Sequence, residues 1–316
     1  MTSLLILGAA HVHLPDHLKT AEDEGVSVSH VFDRDPERAK ACAGENGAEP
    51  VEHLDALGDL GVDGVICCSE TVHHEADISA ALKAGLPVFT EKPLAGSKAE
   101  AERLAALAGE TGVRLDTGYF LRTQPALRTL HEAVKGGALG AIHEGRARFS
   151  HDGGYADWLD VTGWMTDPEL TIYGGFGDES VHAIDQLLWM LGAAKSAKAE
   201  LGNTLGFKVD DHGVALMIHE GGARSSVQGG WTDPFLRFEL ELIGEAGWAR
   251  VDGNRVEHYE RGRTDPVWRA QLADFDAGEG SRPFLQYLKT GQGEPVCTPG
   301  EAAAVNAALD LCYGAS

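Results

Sequence analysis

Residues 86–93 read Leu86-Pro87-Val88-Phe89-Thr90-Glu91-Lys92-Pro93, and their reading decides the fold. An apolar run ends in two charged residues. Pro93 has no backbone N–H, so it stops any ladder there and leaves Lys92 at the end of a strand. The same signal repeats on both sides. Upstream, Ser3–Leu7 and Gly64–Cys68 are further apolar strands, and Val26–Phe32 is a β-branched run ending at Asp33. Helical patterns alternate with them at Leu14–Glu24, Pro36–Ala43 and His74–Ala84, and Asp35 is placed to cap the second with Pro36 at its first position. Downstream come a helix at Lys98–Ala108 and a strand at Val113–Thr117. Near-continuous apolar strands alternating with helices predict an α/β, Rossmann-type, doubly wound parallel sheet over residues 1–120.

Beyond a helix at Gln124–Lys135 the pattern changes. Strands with alternating character are expected at Ala141–Ser150, Glu200–Thr204, Val214–His219, Arg224–Gly230, Arg237–Ile243 and Trp248–Val251, several separated by glycine turns. Residues 121–316 therefore read as a C-terminal α+β domain with an open, mainly antiparallel sheet. Helices are expected at Val267–Lys289, with a possible break at Gly278 and Gly280, and at Glu301–Tyr313. The aromatic, Gly/Asp-rich stretch Asp152–Thr171 reads as a functional loop.

Composition narrows the function. The chain has 316 residues, 43% of them apolar, and a formal charge of −23. That charge argues against nucleic acid, which demands a basic face, and against anionic membrane surfaces. No run approaches the ~20 apolar residues that span a bilayer. The N-terminal segment reads as a first strand and not as a signal peptide. The cysteines, Cys42, Cys67, Cys68, Cys297 and Cys312, are odd in number and scattered, which predicts a reducing, cytoplasmic setting.

Two groups of residues carry chemistry. In Gly174-Gly175-Phe176-Gly177-Asp178-Glu179-Ser180-Val181-His182-Ala183-Ile184-Asp185, helical spacing puts Asp178, His182 and Asp185 on one face. With Lys92 they suit proton transfer to or from a hydroxyl. At the other end, Ser3–Leu7 runs into Gly8-Ala9-Ala10-His11-Val12-His13, where only Gly8 remains of a G-x-G-x-x-G fingerprint and Ala10 still permits close backbone approach. Asp33 ends the next strand, where a carboxylate accepts hydrogen bonds from ribose hydroxyls and disfavours a 2′-phosphate. NAD is the expected cofactor. Arg34, beside Asp33, keeps NADP open. His-x-His at residues 11–13 and the pair His73-His74 invite a zinc reading. No cysteine is spaced with them and both fall on loops facing the cofactor, so no metal is expected.

These motifs resemble the Gfo/Idh/MocA family of NAD(P)-dependent oxidoreductases. The resemblance is carried by Val62–Ile66, His74-Glu75-Ala76, Ala80–Gly85, Glu91-Lys92-Pro93, Gly118-Tyr119, Arg122, Pro125-Ala126-Leu127 and Gly174–Asp185. It departs at Ser69-Glu70-Thr71, where the family has Thr-Pro-Asn, and at Glu179-Ser180. The resemblance implies catalytic roles for Lys92, Asp178 and His182. It also implies a cofactor site formed with Ser69, His74, Glu91 and Lys92 beside Gly8, Ala10, His11, Asp33 and Arg34. A homodimer or homotetramer built on the second domain's sheet is implied as well. Substrate recognition is expected from Tyr119, Arg122, His151, Asp152, Tyr155, Trp158, Trp164, Asp178, His182, Asp185 and Trp231, since aromatics stack on sugar faces and Arg and Asp read hydroxyls. The expected activity is hydride transfer between nicotinamide and a hydroxyl or carbonyl of a sugar, sugar acid or cyclitol. Two alternatives stay open: an NAD-dependent glycosidase working by transient oxidation, and a catalytically silent nucleotide-binding regulator.

Overall fold

The computed structural model describes residues 2–156 and 158–314. Its chain divides into two compact units. The first comprises Met1–Phe120, Glu169–Ile172 and Asp276–Ala303, and the second comprises Leu121–Pro168, Tyr173–Phe275 and Ala304–Ser316. Residues 276–303, which the sequence reading groups with the C-terminal domain, thus pack with the N-terminal unit.

The first unit is built on six parallel strands: β1 (Ser3–Leu7), β2 (Ser27–Phe32), β3 (Glu49–Val51), β4 (Gly64–Cys67), β5 (Val88–Thr90) and β6 (Leu115–Thr117). The helices α1 (Leu14–Asp23), α2 (Pro36–Asn46), α3 (His74–Lys83) and α4 (Lys98–Thr111) connect them. The order β3-β2-β1-β4-β5-β6 reverses direction between β1 and β4, the switch point at which doubly wound sheets bind nucleotides. Leu4, Ile6, Ile66 and Phe89 are fully buried, as parallel strands covered on both faces require. Register lines up the carboxyl ends: Leu7 lies beside Phe32 and Cys67, Cys67 beside Thr90, and Thr90 beside Thr117. The residues that follow, Gly8, Asp33, Cys68, Glu91 and Gly118, therefore emerge along one edge.

The second unit opens with α5 (Pro125–Lys135) and β7 (Ile142–Ser150). After the short α6 (Pro168–Thr171) comes α7 (Gly175–Leu191). The strands β8 (Ala194–Gly202), β9 (His212–His219), β10 (Arg224–Gly230), β11 (Arg237–Gly244), β12 (Gly247–Asp252), β13 (Arg255–Glu260) and β14 (Trp268–Gln271) follow it. They form one eight-stranded sheet, ordered β14-β13-β12-β11-β7-β10-β9-β8 and antiparallel throughout except for the parallel pair β7 and β10. The expected helix over 267–289 is corrected. Its first part is β14, and a helix, α8 (Arg282–Thr290), begins only after a 3-10 turn at Ala277–Gly280. Pro283 explains the late start, because it is tolerated in a first helical turn and not in an interior. Phe284 and Leu285 then enter the first unit's core. The chain closes with α9 (Pro299–Tyr313).

Helix α7 is buried on nearly all sides, and the buried set includes the polar residues Glu179, His182 and Asp185. Glycines on the sheet let it lie close. A Cβ placed on Gly229 of β10 would fall 2.6 Å from the Ser180 nitrogen, and one on Gly213 of β9 would fall 2.8 Å from Phe176.

Candidate active site

The carboxyl edge of the first sheet gathers most of the expected cofactor residues. Gly8 adopts φ +76°, and a Cβ there would fall 2.3 Å from the Ser69 Cα, so only glycine lets the β1 turn meet the β4 turn. The backbone N–H groups of Ala10 and His11 donate to the Cys68 carbonyl at 3.2 and 3.1 Å, which fixes that turn. Asp33, buried at the end of β2, accepts from the N–H of Ala9 at 2.7 Å and of Asp35 at 2.8 Å, and from Arg38 Nε at 2.7 Å. Arg34 is held by Asp77. The glycine cradle at the switch point and the carboxylate at the tip of β2 fit a dinucleotide with a free ribose hydroxyl.

At the end of β5, Glu91 is buried within a cage of histidines. His17 Nε2 lies 2.7 Å from Oε1, His13 Nδ1 lies 3.4 Å from Oε1, and His11 Nε2 lies 3.9 Å from Oε2. Burial opposes ionisation of this carboxyl, but His11 and His13 beside it, with hydrogen bonds from His13 and His17, hold its pKa well below the usual carboxylate range. The Lys92 N–H donates to Glu91 Oε2 at 3.0 Å, and the Lys92 side chain is itself buried. His74 spans two turns, with Nδ1 2.9 Å from the Pro93 carbonyl and Nε2 3.2 Å from the Ser69 carbonyl. Burial lowers its pKa against the opposing pull of these carbonyls. The neutral ring carries one N–H, so His74 donates to one of these two carbonyls and lies against the other, between the β4 turn and the Lys92–Pro93 corner. Tyr119, just past β6, is buried in this unit.

The second unit holds the other half of the expected residues. Helix α7 lacks a capping side chain of its own, because Gly174 stands at its N-cap. Its orphan N–H groups find distant partners. Phe176 donates to Asp210 at 2.8 Å, and Gly174 and Gly177 donate to the Tyr313 hydroxyl at 3.1 and 3.0 Å. Burial, then the neighbouring Asp210 carboxylate, push the Tyr313 pKa well up, so the hydroxyl stays neutral. The first turn so fixed presents Asp178, whose Oδ2 accepts the Trp231 indole N–H at 2.8 Å. Trp231 is fully buried, which makes it a support for Asp178. One turn on, the buried His182 packs on Phe149 with ring centroids 4.7 Å apart. Asp185 and Arg122 form a buried ion pair, Nε to Oδ1 at 3.0 Å. These two engage each other, and Arg122 also lies 5.2 Å from the Trp189 ring.

His151 Nδ1 accepts the Gly153 N–H at 2.9 Å, which leaves the ring proton on Nε2, 2.8 Å from Glu179 Oε1. Trp158 packs edge-on against His151 and donates to Asp152 at 3.2 Å. Tyr155 is exposed, and Trp164 opens a short 3-10 turn. Two groups, His11 with His13 and Glu91, and His151 with Asp178 and Glu179, bring potential ligand atoms within 4.8 Å of one another. In His11 and in His151, Nδ1 accepts a backbone N–H, so the nitrogen facing the carboxylate carries the proton in the neutral ring. His151 Nε2 is within hydrogen-bond reach of Glu179 at 2.8 Å, whereas His11 Nε2 stands 3.9 Å from Glu91.

Sequence reasoning missed Glu179, Arg38, Glu70, Asp77 and His17. His17 was within reach of it, since it stands four residues after His13 and so on the same face of the chain entering α1. The others pair through tertiary contacts that no spacing reveals.

A doubly wound sheet with a carboxylate at the tip of β2 defines a dinucleotide-binding enzyme class, and comparison with known proteins gives the family. Residues 3–119 match the Gfo/Idh/MocA oxidoreductase family, NAD-binding Rossmann fold, and residues 127–250 match the Gfo/Idh/MocA C-terminal domain. The chain belongs to this family. It is 33% identical to inositol 2-dehydrogenase 1 of Saccharopolyspora erythraea over 196 residues, 59% of this chain and 52% of that protein. The match thus spans about half the length of that relative. To inositol 2-dehydrogenase 3 of the same organism it is 28% identical over 83% of this chain and 78% of the relative. Among solved structures, GenD2 from gentamicin A biosynthesis in complex with NAD superposes with a TM-score of 0.80 at 27% identity, covering 99% of this chain and 93% of that one. No helix among the described residues is long and apolar enough to cross a membrane.

Proposed function

We propose that the protein is an NAD-dependent dehydrogenase or reductase acting on a secondary hydroxyl, or the matching carbonyl, of a sugar, sugar acid or cyclitol. The observation that carries this reading is Lys92, an ammonium-bearing side chain buried at the carboxyl end of β5 beside an ionised Glu91. Burial of a charge is costly, and groups that bear such a cost cluster at functional sites. When bound, NAD accepts or returns the hydride. The chain's own residues handle the proton and the charge. In the oxidative direction His182 takes the hydroxyl proton, as imidazole is suited to do near neutrality. Lys92 stabilises the developing alkoxide. Asp178, steadied by Trp231, orients the imidazole or a substrate hydroxyl. Asp33 accepts from the adenosine ribose and favours NAD. His151, Asp152 and Trp158 supply polar and aromatic contacts for a polyol. The names of the relatives, inositol 2-dehydrogenases among them, support this substrate class.

A spectrophotometric screen of sugars, sugar acids and inositols with NAD and NADP tests the reading. Net NADH formation with at least one polyol is expected. Turnover of a glycoside without net NADH would replace it with the transient-oxidation reading. Two coarser features extend the proposal. An exposed apolar stripe on the second sheet, Leu201, Val214, Leu216 and Ile218, supports a homo-oligomer. No disulfide forms among the described residues, which supports a reducing, cytoplasmic setting.

A further inference from the structure

We propose that Glu70 and Asp77 are specificity residues that exclude the 2′-phosphate of NADP by occupying the two guanidinium groups able to bind it. The inference rests on the dinucleotide reading above. Arg34 directly follows Asp33 at the tip of β2, the position from which an arginine can reach a 2′-phosphate. Its fork is already filled: NH1 donates to Asp77 Oδ2 at 2.9 Å and NH2 to Asp77 Oδ1 at 2.8 Å. Asp77 is fully buried on α3. Were Arg34 to turn towards a phosphate, a carboxylate without solvent would lose its counter-charge. Arg38, in the first turn of α2, is committed as well. Its Nε donates to Asp33 at 2.7 Å and its NH2 to Glu70 at 2.5 Å. Glu70 stands in the Ser69-Glu70-Thr71 segment after β4, where the family pattern has a proline with nothing to offer an arginine.

The local charge makes the same point. Asp33, Glu70 and Asp77 oppose Arg34 and Arg38, which leaves one net negative charge before any ligand arrives. A phosphate dianion meets repulsion and finds no free fork. A ribose hydroxyl meets a carboxylate that can still accept a hydrogen bond from it.

The test measures binding of NAD and NADP to the full chain by calorimetric titration, so that turnover is not the readout. The wild type is expected to bind NAD more tightly. Asp77→Asn and Glu70→Gln keep shape and polar contacts while removing charge. Each should raise NADP affinity relative to NAD by about fivefold, the scale of one partly exposed ion pair. Adding Arg34→Ala to Asp77→Asn should erase that variant's gain, whereas Arg34→Ala alone should leave NADP binding as weak as in the wild type. Should Asp77→Asn fail to fold, Glu70→Gln and Arg34→Ala still decide. An unchanged NADP-to-NAD ratio in variants that bind NAD normally would overturn the inference alone. A wild type that binds NADP more tightly overturns it too. A folded wild type that binds neither nucleotide overturns the dinucleotide reading and this inference with it.

Discussion

The carboxyl edge of the first sheet and the 152–164 loop of the second unit handle their functional side chains in opposite ways. At the first, the buried charged and imidazole groups are held largely by protein. Glu91 sits among three imidazoles, His74 lies between two carbonyls, and both arginines near β2 are paired. In the loop, Tyr155 is 61% exposed and Trp158 is 49% exposed. The difference teaches where the chemistry is fixed and where it is free to vary. A buried, mutually satisfied polar network has few alternative arrangements, so it positions charge without reorganising. An exposed aromatic contributes contact area and can be exchanged at small cost to the fold. Substitutions at the first region should therefore reach rate and stability, and substitutions at the second should reach only substrate affinity.

The largest effect is expected at Lys92. Lys92→Ala removes the positive charge that stabilises the alkoxide, and loss of one such group lowers turnover by about 10²- to 10³-fold. Steady-state kinetics on the best substrate of the screen measures this, with circular dichroism to verify the fold. Near-normal turnover would break the assignment of rate control to the sheet edge. Next is His182. His182→Asn should remove an ionisation from the pH–rate profile and reduce turnover by about 10²-fold, the usual contribution of a positioned general base. If the original pH dependence survives and only KM rises, His182 binds substrate and Lys92 becomes the better candidate for the base.

Much of this contrast was legible in the sequence, for a physical reason. Strands buried on both faces leave continuous apolar runs, so Ser3–Leu7, Gly64–Cys67 and Val88–Thr90 declare the parallel sheet and place Asp33 and Lys92 at its edge. Helical spacing likewise places Asp178, His182 and Asp185 together. What escaped was set by long-range pairing. Strand β13 (Arg255–Glu260) lies among charges and is held by its neighbours, while Pro283 starts α8 where composition alone suggests a longer helix. The partners of Arg34 and Arg38 come from other elements, so neither their engagement nor the Glu179 contact to His151 could be read locally.

A smaller effect is expected on stability at His74. Its folded pKa is depressed below the ordinary imidazole value of 6.5. Between the folded and unfolded values the unfolded chain binds a proton that the fold does not. Its contribution is therefore fully present above pH 6.5 and is lost as pH falls through the folded value. The slope from one such group is at most about 1.4 kcal/mol per pH unit. His74→Gln should flatten the fall in unfolding free energy on the acid side of 6.5, as measured by urea denaturation across that range. His219, whose pKa is also lowered by burial, leaves a residual slope in the variant. An unchanged slope would mean that His74 is not held neutral and that the sheet edge is less rigidly set than its hydrogen bonds imply.

The smallest effect is expected at Trp158. Its indole lies edge-on to His151 at 4.6 Å and donates to Asp152, yet half of its surface faces solvent. Little apolar area is lost to water on truncation, so Trp158→Ala should leave unfolding free energy within the roughly 0.5 kcal/mol typical of surface sites. A polyol stacked on the ring would lose an aromatic contact worth about 0.5–1.5 kcal/mol, which predicts a rise in KM of roughly two- to tenfold with turnover nearly unchanged. Paired measurements of denaturation and of KM against kcat separate the outcomes. A large loss of stability would show that Trp158 supports the second unit's packing. A fall in turnover with unchanged KM would show that it governs His151, and through it Glu179, which would move the loop from the exchangeable region to the fixed one.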